Sequence, residues 1–235
     1  MRFRFRYMES ILTIVCDEGF RGIAEDAVFE ARNVIESRIS EDPFFGITYE
    51  PYHSSGRDHP LIRRMCDSSV VSGVGPMAGV AGAVAVHVAE RLKAEGSSMA
   101  IVENGGDIAL YSKEPVPIGV YADHPVFRNV AFMVESPGIT GICSSSRTVG
   151  HSVSFGGSSI STVFSNDVIL ADCCATALGN LVTDEDSIGE AVETVGSMDG
   201  VKGCVACCGG KVAMFGDVPE MVPADCGDAV ERTHC

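Results

Sequence analysis

Four groupings of residues in this 235-residue chain could do chemistry. The first is Asp172 and Thr176, four apart in a run of helical spacing, VILADCCATALGNLV, residues 168–182. On a helix both side chains lie on one face, one above the other. A carboxylate beside a hydroxyl is a pair of hard oxygens suited to Mg²⁺ or Ca²⁺. A structural use is also open: Asp172 caps or solvates the helix start, and Thr176 bonds back to the carbonyl four residues earlier. The second grouping is Asn104-Gly105-Gly106-Asp107, between two short apolar runs. Asn-Gly between strands is a strong hairpin signal. Alternatively, the second glycine lets backbone N–H groups approach a phosphate or a flat ring, with Asp107 nearby.

The third grouping is Gly150-His151, in a polar, glycine-rich loop after Thr148. Its imidazole could bond a cofactor carbonyl, act as general base, or cap a turn. The fourth is the set of ten cysteines. Cys204-x-x-Cys207-Cys208 resembles half of a zinc knuckle. On a strand, however, Cys204 and Cys208 face one way and Cys207 the other. Buried free cysteines acting as small hydrophobes are the plainer reading. Thiolate or persulfide chemistry is the alternative, although no cluster of Lys or Arg beside them promises a lowered pKa.

These groupings need elements to position them. MRFRFRYM (1–8) reads as an edge strand, SILTIVC (10–16) as its partner, and residues 21–40 as an amphipathic helix. Residues 41–60 read as a long connection. Residues 68–89 carry no formal charge, a length that could span a bilayer. Their Gly, Ala and Ser contribute little to insertion, so a loop followed by a buried helix from Pro76 to about Ala94 is expected. Short strands are predicted at 99–103, 108–111, 116–121, 130–135 and 161–165. Residues 142–157 read as a polar connection, 187–197 as a helix, and 201–216 as strand, turn, strand. The last 19 residues read as a solvated tail or a final edge.

Composition sets the class. Hydrophobic residues are 46% and charged residues 21%, which is globular. Lys+Arg 17 against Asp+Glu 32 gives a net charge of −15, which repels nucleic-acid backbones. The long chain opens on no secretory signal, so a cytoplasmic protein with reduced thiols is expected, neither membrane-bound nor nucleic-acid-bound.

Four segments occur in a recognisable order: VGPMAGVAGAVA (74–85), VENGGDIAL (102–110), GICSSSRTVGHSVSFG (141–156) and LADCCATALGN (170–180). In these the chain is similar to the ApbE-like superfamily, the FAD:protein FMN transferases, and more closely to its short branch of uncharacterised function. The resemblance implies a single α+β domain over residues 1–235, T-fold-like, with an antiparallel sheet and helices packed on one side. It implies Mg²⁺ held by Asp172 and Thr176 and bridging the FAD pyrophosphate. It also implies a flavin nucleotide site lined by Asn104, Gly105, Gly106, Asp107, Thr148 and His151. Asp172 and His151 would be catalytic. An acceptor hydroxyl would attack the FMN phosphorus while AMP leaves.

The chain departs from the transferases in two places and from the short branch in one. The Asp-Pro that follows their loop histidine is absent after His151. No lysine stands in Met77–Gly82, and Arg147 replaces a glycine usual in the short branch. Two other readings are therefore carried: a sulfur-handling protein that uses its cysteines, and a non-catalytic binding module. A homodimer through the edge at residues 1–7 and the small-residue helix is a further expectation.

Overall fold

Alternation in the first strand decides what it packs on. In the computed structural model, which describes residues 1–120, 127, 129–146 and 157–224, β1 (Arg2–Tyr7) turns Phe3, Phe5 and Tyr7 toward α1 (Arg21–Glu41). There Phe29 meets Phe5 and Tyr7 edge to face. Arg2, Arg4 and Arg6 stay exposed on the opposite face. β1 pairs with β2 (Ser10–Cys16), the first step of an eight-stranded sheet.

The strands that follow are β3 (Ala100–Asn104), β4 (Asp107–Tyr111), β5 (Val116–Gly119), β6 (Val130–Val134), β7 (Thr140–Ser145), β8 (Ile160–Ser165), β9 (Val201–Cys208), β10 (Lys211–Gly216) and β11 (Met221–Pro223). The large sheet runs β1-β2-β3-β4-β7-β8-β9-β10, and every neighbouring pair is antiparallel. The helices α1, α2 (Pro60–Ser72), α3 (Val80–Ala94), α4 (Val168–Leu181) and α5 (Ile188–Gly196) share one core with one face of the sheet. Leu12, Ile14, Val102 and Cys143 meet Val28, Val84, Ile169 and Leu178 there. This is the expected antiparallel sheet with helices on one side. The opposite face is covered by a second sheet, ordered β11-β6-β5, which packs Ile118 and Phe132 on Ile108, Ile142 and Phe164. The strand runs at 116–121 and 130–135 were legible, but their pairing away from the main sheet was not.

Two local expectations are corrected. Residues 68–72 belong to α2, not to a loop, and α2 ends at Gly73 with φ +74°. His59 caps α2 by accepting the Leu61 N–H, and Pro60 opens it. Residues 142–145 are strand, the end of β7, paired with β4 and β8, and the polar Ser144 is accommodated because its Oγ lies 2.9 Å from Thr162 Oγ1. Among the described residues no single helix is long and apolar enough to cross a membrane, and α2 meets the segment Pro76–Ala94 at a 112° bend.

Small residues explain how closely α4 seats. A Cβ at Gly141 would lie 2.7 Å from Val168 Cα, one at Gly79 2.7 Å from Cys173 Sγ, and one at Gly82 2.8 Å from the Val168 carbonyl oxygen. These approaches are below van der Waals contact, so only glycine fits. A short 3₁₀ turn, Pro76–Gly79, and the start of α3 thereby press against α4.

Candidate functional site

Asn104 and Asp107 pair across a two-residue turn in which Gly105 and Gly106 have φ +68° and +104°. Positive φ at both central positions is a tight hairpin turn of the kind Gly-Gly adopts, one residue later than an Asn-Gly turn would sit. Glu103 braces the turn from the other face of the sheet, its Oε1 accepting the Gly106 N–H at 3.1 Å. Strand alternation turns Asn104 and Asp107 toward the helices. Asn104 Nδ2 donates to the Ala81 carbonyl at 3.2 Å. Asp107 Oδ1 accepts the Ser144 N–H at 3.3 Å.

Asp172 does not cap its own helix. Asp167 does that, accepting the Ile169 and Leu170 N–H groups. Asp172 reaches instead to α3, whose start has no local side-chain cap, and its Oδ2 accepts the Gly82 N–H at 2.7 Å. The positive end of the α3 dipole thus faces a carboxylate from another helix. Thr176, one turn further along α4, is half-buried, and its hydroxyl has no hydrogen-bond partner among the described residues. The back-bond to the carbonyl four residues earlier is therefore not made.

Asp107 and Asp172 are both buried, and they stand near enough that the charge of Asp172 acts on Asp107. Two buried carboxyls placed so disfavour ionising together. Burial pushes Asp172 up to about 7, against the pull of the Gly82 and Ala81 N–H groups. Burial first, and then the charge of Asp172, push Asp107 well above the ordinary carboxylate range. Glu103 is raised by burial on the other face.

The structure therefore brings together two of the segments singled out in the sequence, Asn104–Asp107 and Asp172/Thr176, and adds the start of α3. Thr148, His151 and Arg147 lie outside the described residues. Gly82 and Ser144 were missed as site neighbours. The small-residue run hinted at close approach, but β7 was hidden in a polar serine run. Among the described residues no three His, Cys, Asp or Glu side chains are grouped to hold a metal. The donor set is two carboxyls and a hydroxyl, all hard oxygens. That fits Mg²⁺, which commonly uses one or two carboxylates and completes its shell with waters and substrate phosphates.

The eight described cysteines are free and buried. Burial pushes the Cys174 and Cys207 thiols up to about 12 and those of Cys66 and Cys204 up to about 11. Cys204 and Cys208 join the helix-side core and Cys207 the opposite one, as the alternation implied.

Comparison with known proteins follows the same lines. A family model described as AbpE bacteria matches residues 1–194. A UPF0280 protein of Methanocella arvoryzae is 39% identical over 222 residues, covering 94% of this chain and 91% of its own. One of Archaeoglobus fulgidus is 39% identical, covering 95% of each. Among solved structures, the flavin transferase ApbE of Vibrio cholerae matches with a TM-score of 0.63 at 13% identity, covering 92% of this chain and 96% of that one. The ApbE protein of Thermotoga maritima matches with a TM-score of 0.56 at 12% identity, covering 99% of each. These structures share the fold. With most of its length matched by the family model and by relatives near 40% identity, the chain belongs to the AbpE bacteria family, an ApbE-like family with UPF0280 homologues in archaea.

Proposed function

We propose that the chain binds a flavin nucleotide together with Mg²⁺ where the Gly105-Gly106 turn, the start of α3 and the first half of α4 meet, and transfers the flavin-phosphate part to an acceptor hydroxyl. The observation that carries this reading is the pair of buried carboxyls, Asp107 and Asp172, set near each other. Ionising both is costly without a counter-charge. The likeness to flavin transferases of the same fold supports the choice of ligand.

Each residue then has a stated task. The Gly82 N–H fixes Asp172, and the Ser144 N–H fixes Asp107, so both oxygens are oriented before any ligand arrives. Protons held by these carboxyls would pass to solvent on cation binding. Thr176 offers its free hydroxyl one turn along. Gly105 and Gly106 keep the turn bare so that a pyrophosphate can come close to the backbone. The bound cation supplies neutralisation of the pyrophosphate charge. His151, which the resemblance sets beside the flavin, is assigned here as the general base, taking the acceptor's proton as the acceptor oxygen bonds phosphorus and the bond to AMP breaks.

A second reading has its own support. Asp172 already caps α3, a structural task sufficient to explain a buried aspartate, and no basic residue stands in Met77–Gly82. On that reading the chain is a binding module without transfer chemistry. The sulfur-handling reading draws nothing from the described thiols, which are buried and raised. Incubating purified protein with FAD and MgCl₂ decides among these. Fluorescence quenching with AMP release supports transfer, quenching alone supports a binding module, and no quenching at high micromolar FAD ends the flavin reading.

A further inference from the structure

We propose that Ser145 belongs to this same site and that its hydroxyl donates to a phosphate oxygen of the bound nucleotide, an inference that rests on the reading just given. Ser145 closes β7 and is 4% exposed. Its Oγ is buried and finds no hydrogen-bond partner among the described residues. A buried hydroxyl left unpaired is rare in a folded protein and asks for a reason. The hydroxyls of Ser144, Ser146, Ser158 and Ser161 nearby are partnered. Ser144 Oγ lies 2.9 Å from Thr162 Oγ1, Ser146 Oγ donates to the Ser159 carbonyl at 2.8 Å, and Ser161 Oγ donates to Ser158 Oγ at 3.0 Å. The middle hydroxyl of the run Ser144-Ser145-Ser146 is the orphan.

Its direction follows from alternation along β7. Gly141 lies directly under Val168 of α4, and Cys143 Sγ donates to the Val168 carbonyl at 3.5 Å. Ser145 is the next residue on that face, roughly 7 Å further on by strand rise. Thr176 stands one turn beyond Asp172, roughly 6 Å by helix rise. Asp107 pairs with Cys143 across the sheet, and the adjacent Ser144 N–H holds its carboxyl. The Gly106 end of the turn also lies here, since a Cβ on it would be 3.6 Å from the Ser144 carbonyl oxygen. Two carboxyls and, beyond them, two unpartnered hydroxyls therefore share one side of the sheet beside a bare glycine turn. The carboxyls suit a cation and repel an anion. A neutral hydroxyl without an internal acceptor is the group on this wall that can donate to a phosphate oxygen.

Ser145→Ala tests this, because an idle hydroxyl and a structural one respond oppositely to removal. FAD with MgCl₂ is titrated into wild type and variant by flavin fluorescence, and thermal unfolding is followed without ligand. The expected result is binding weakened about tenfold, the ratio for one charge-assisted hydrogen bond, with an unfolding midpoint equal to or above that of wild type. Equal FAD affinity in the two proteins overturns the assignment. So does a midpoint several degrees lower in the variant, which marks Ser145 as structural. Wild type that takes no FAD removes the flavin reading of the site itself, a result told apart from the others because the variant plays no part in it.

Discussion

Asp172 on α4 closes the first turn of α3 by accepting the Gly82 N–H at 2.7 Å, across 90 positions of chain. The same carboxyl lies near Asp107 of the hairpin, whose pKa its charge raises. One side chain thus ties two helices together and acts on a hairpin.

Those two tasks separate by substitution. Asp172→Ala loses the cap and should cost about 1–2 kcal/mol of stability. Asp172→Asn keeps an acceptor for Gly82 and should retain most of it. Both variants should lose Mg²⁺ binding. Urea unfolding with isothermal titration of MgCl₂ reads both quantities, and Mg²⁺ affinity surviving in Asp172→Asn would remove Asp172 as a ligand.

Stability should fall as pH rises. The Asp172 pKa in the folded chain stands at about 7, above its ordinary 3.8, and that of Asp107 moves the same way. A carboxyl raised in the folded state contributes fully below its unfolded pKa and loses that contribution as pH climbs through the folded value. In EDTA, urea midpoints should therefore decline between about pH 4 and 7. Asp172→Asn should flatten this decline, and MgCl₂ should restore the midpoint at pH 8. A slope unchanged in the variant would place the titration elsewhere.

The turn glycines should differ in what they tolerate. Gly105 has φ +68° with open space around it, so Gly105→Asn should be nearly neutral, asparagine being at ease in the left-handed region. Gly105→Ala should cost about 1–2 kcal/mol. Chemical denaturation checks the order.

Close packing sets a harder limit at Gly141. A methyl there would meet the Val168 Cα at 2.7 Å, and backbone cannot turn aside as a side chain can. Gly141→Ala should cost about 1–3 kcal/mol and should shift α4 against the sheet. Native-state hydrogen exchange of the α4 amides should rise in step.

The described thiols should be slow. With eight cysteines buried and their pKa values raised, labelling by a thiol reagent at pH 8 should wait on unfolding for those eight. Mass spectrometry after brief labelling should leave Cys173, Cys174, Cys204 and Cys207 unmodified. Rapid modification of any of them would revive a thiolate role.

Much was written in the chain. Alternation fixed the β1–β2 hairpin, helical spacing fixed α1 and α4, and Asn104-Gly105-Gly106-Asp107 fixed a turn through local backbone preference alone. The spacing of Asp172 and Thr176 put both on one face of a helix because the helix period requires it. What no local rule contains is the partner of each group. That Asp172 caps α3, that Asp107 comes near Asp172, that Ser145 stays unpaired and that β5 and β6 leave the main sheet all depend on contacts between residues far apart in sequence. Burial and hydrogen-bond satisfaction are settled only when the whole chain packs, so tertiary structure alone turned an ordinary D-x-x-x-T pattern into a buried carboxyl pair.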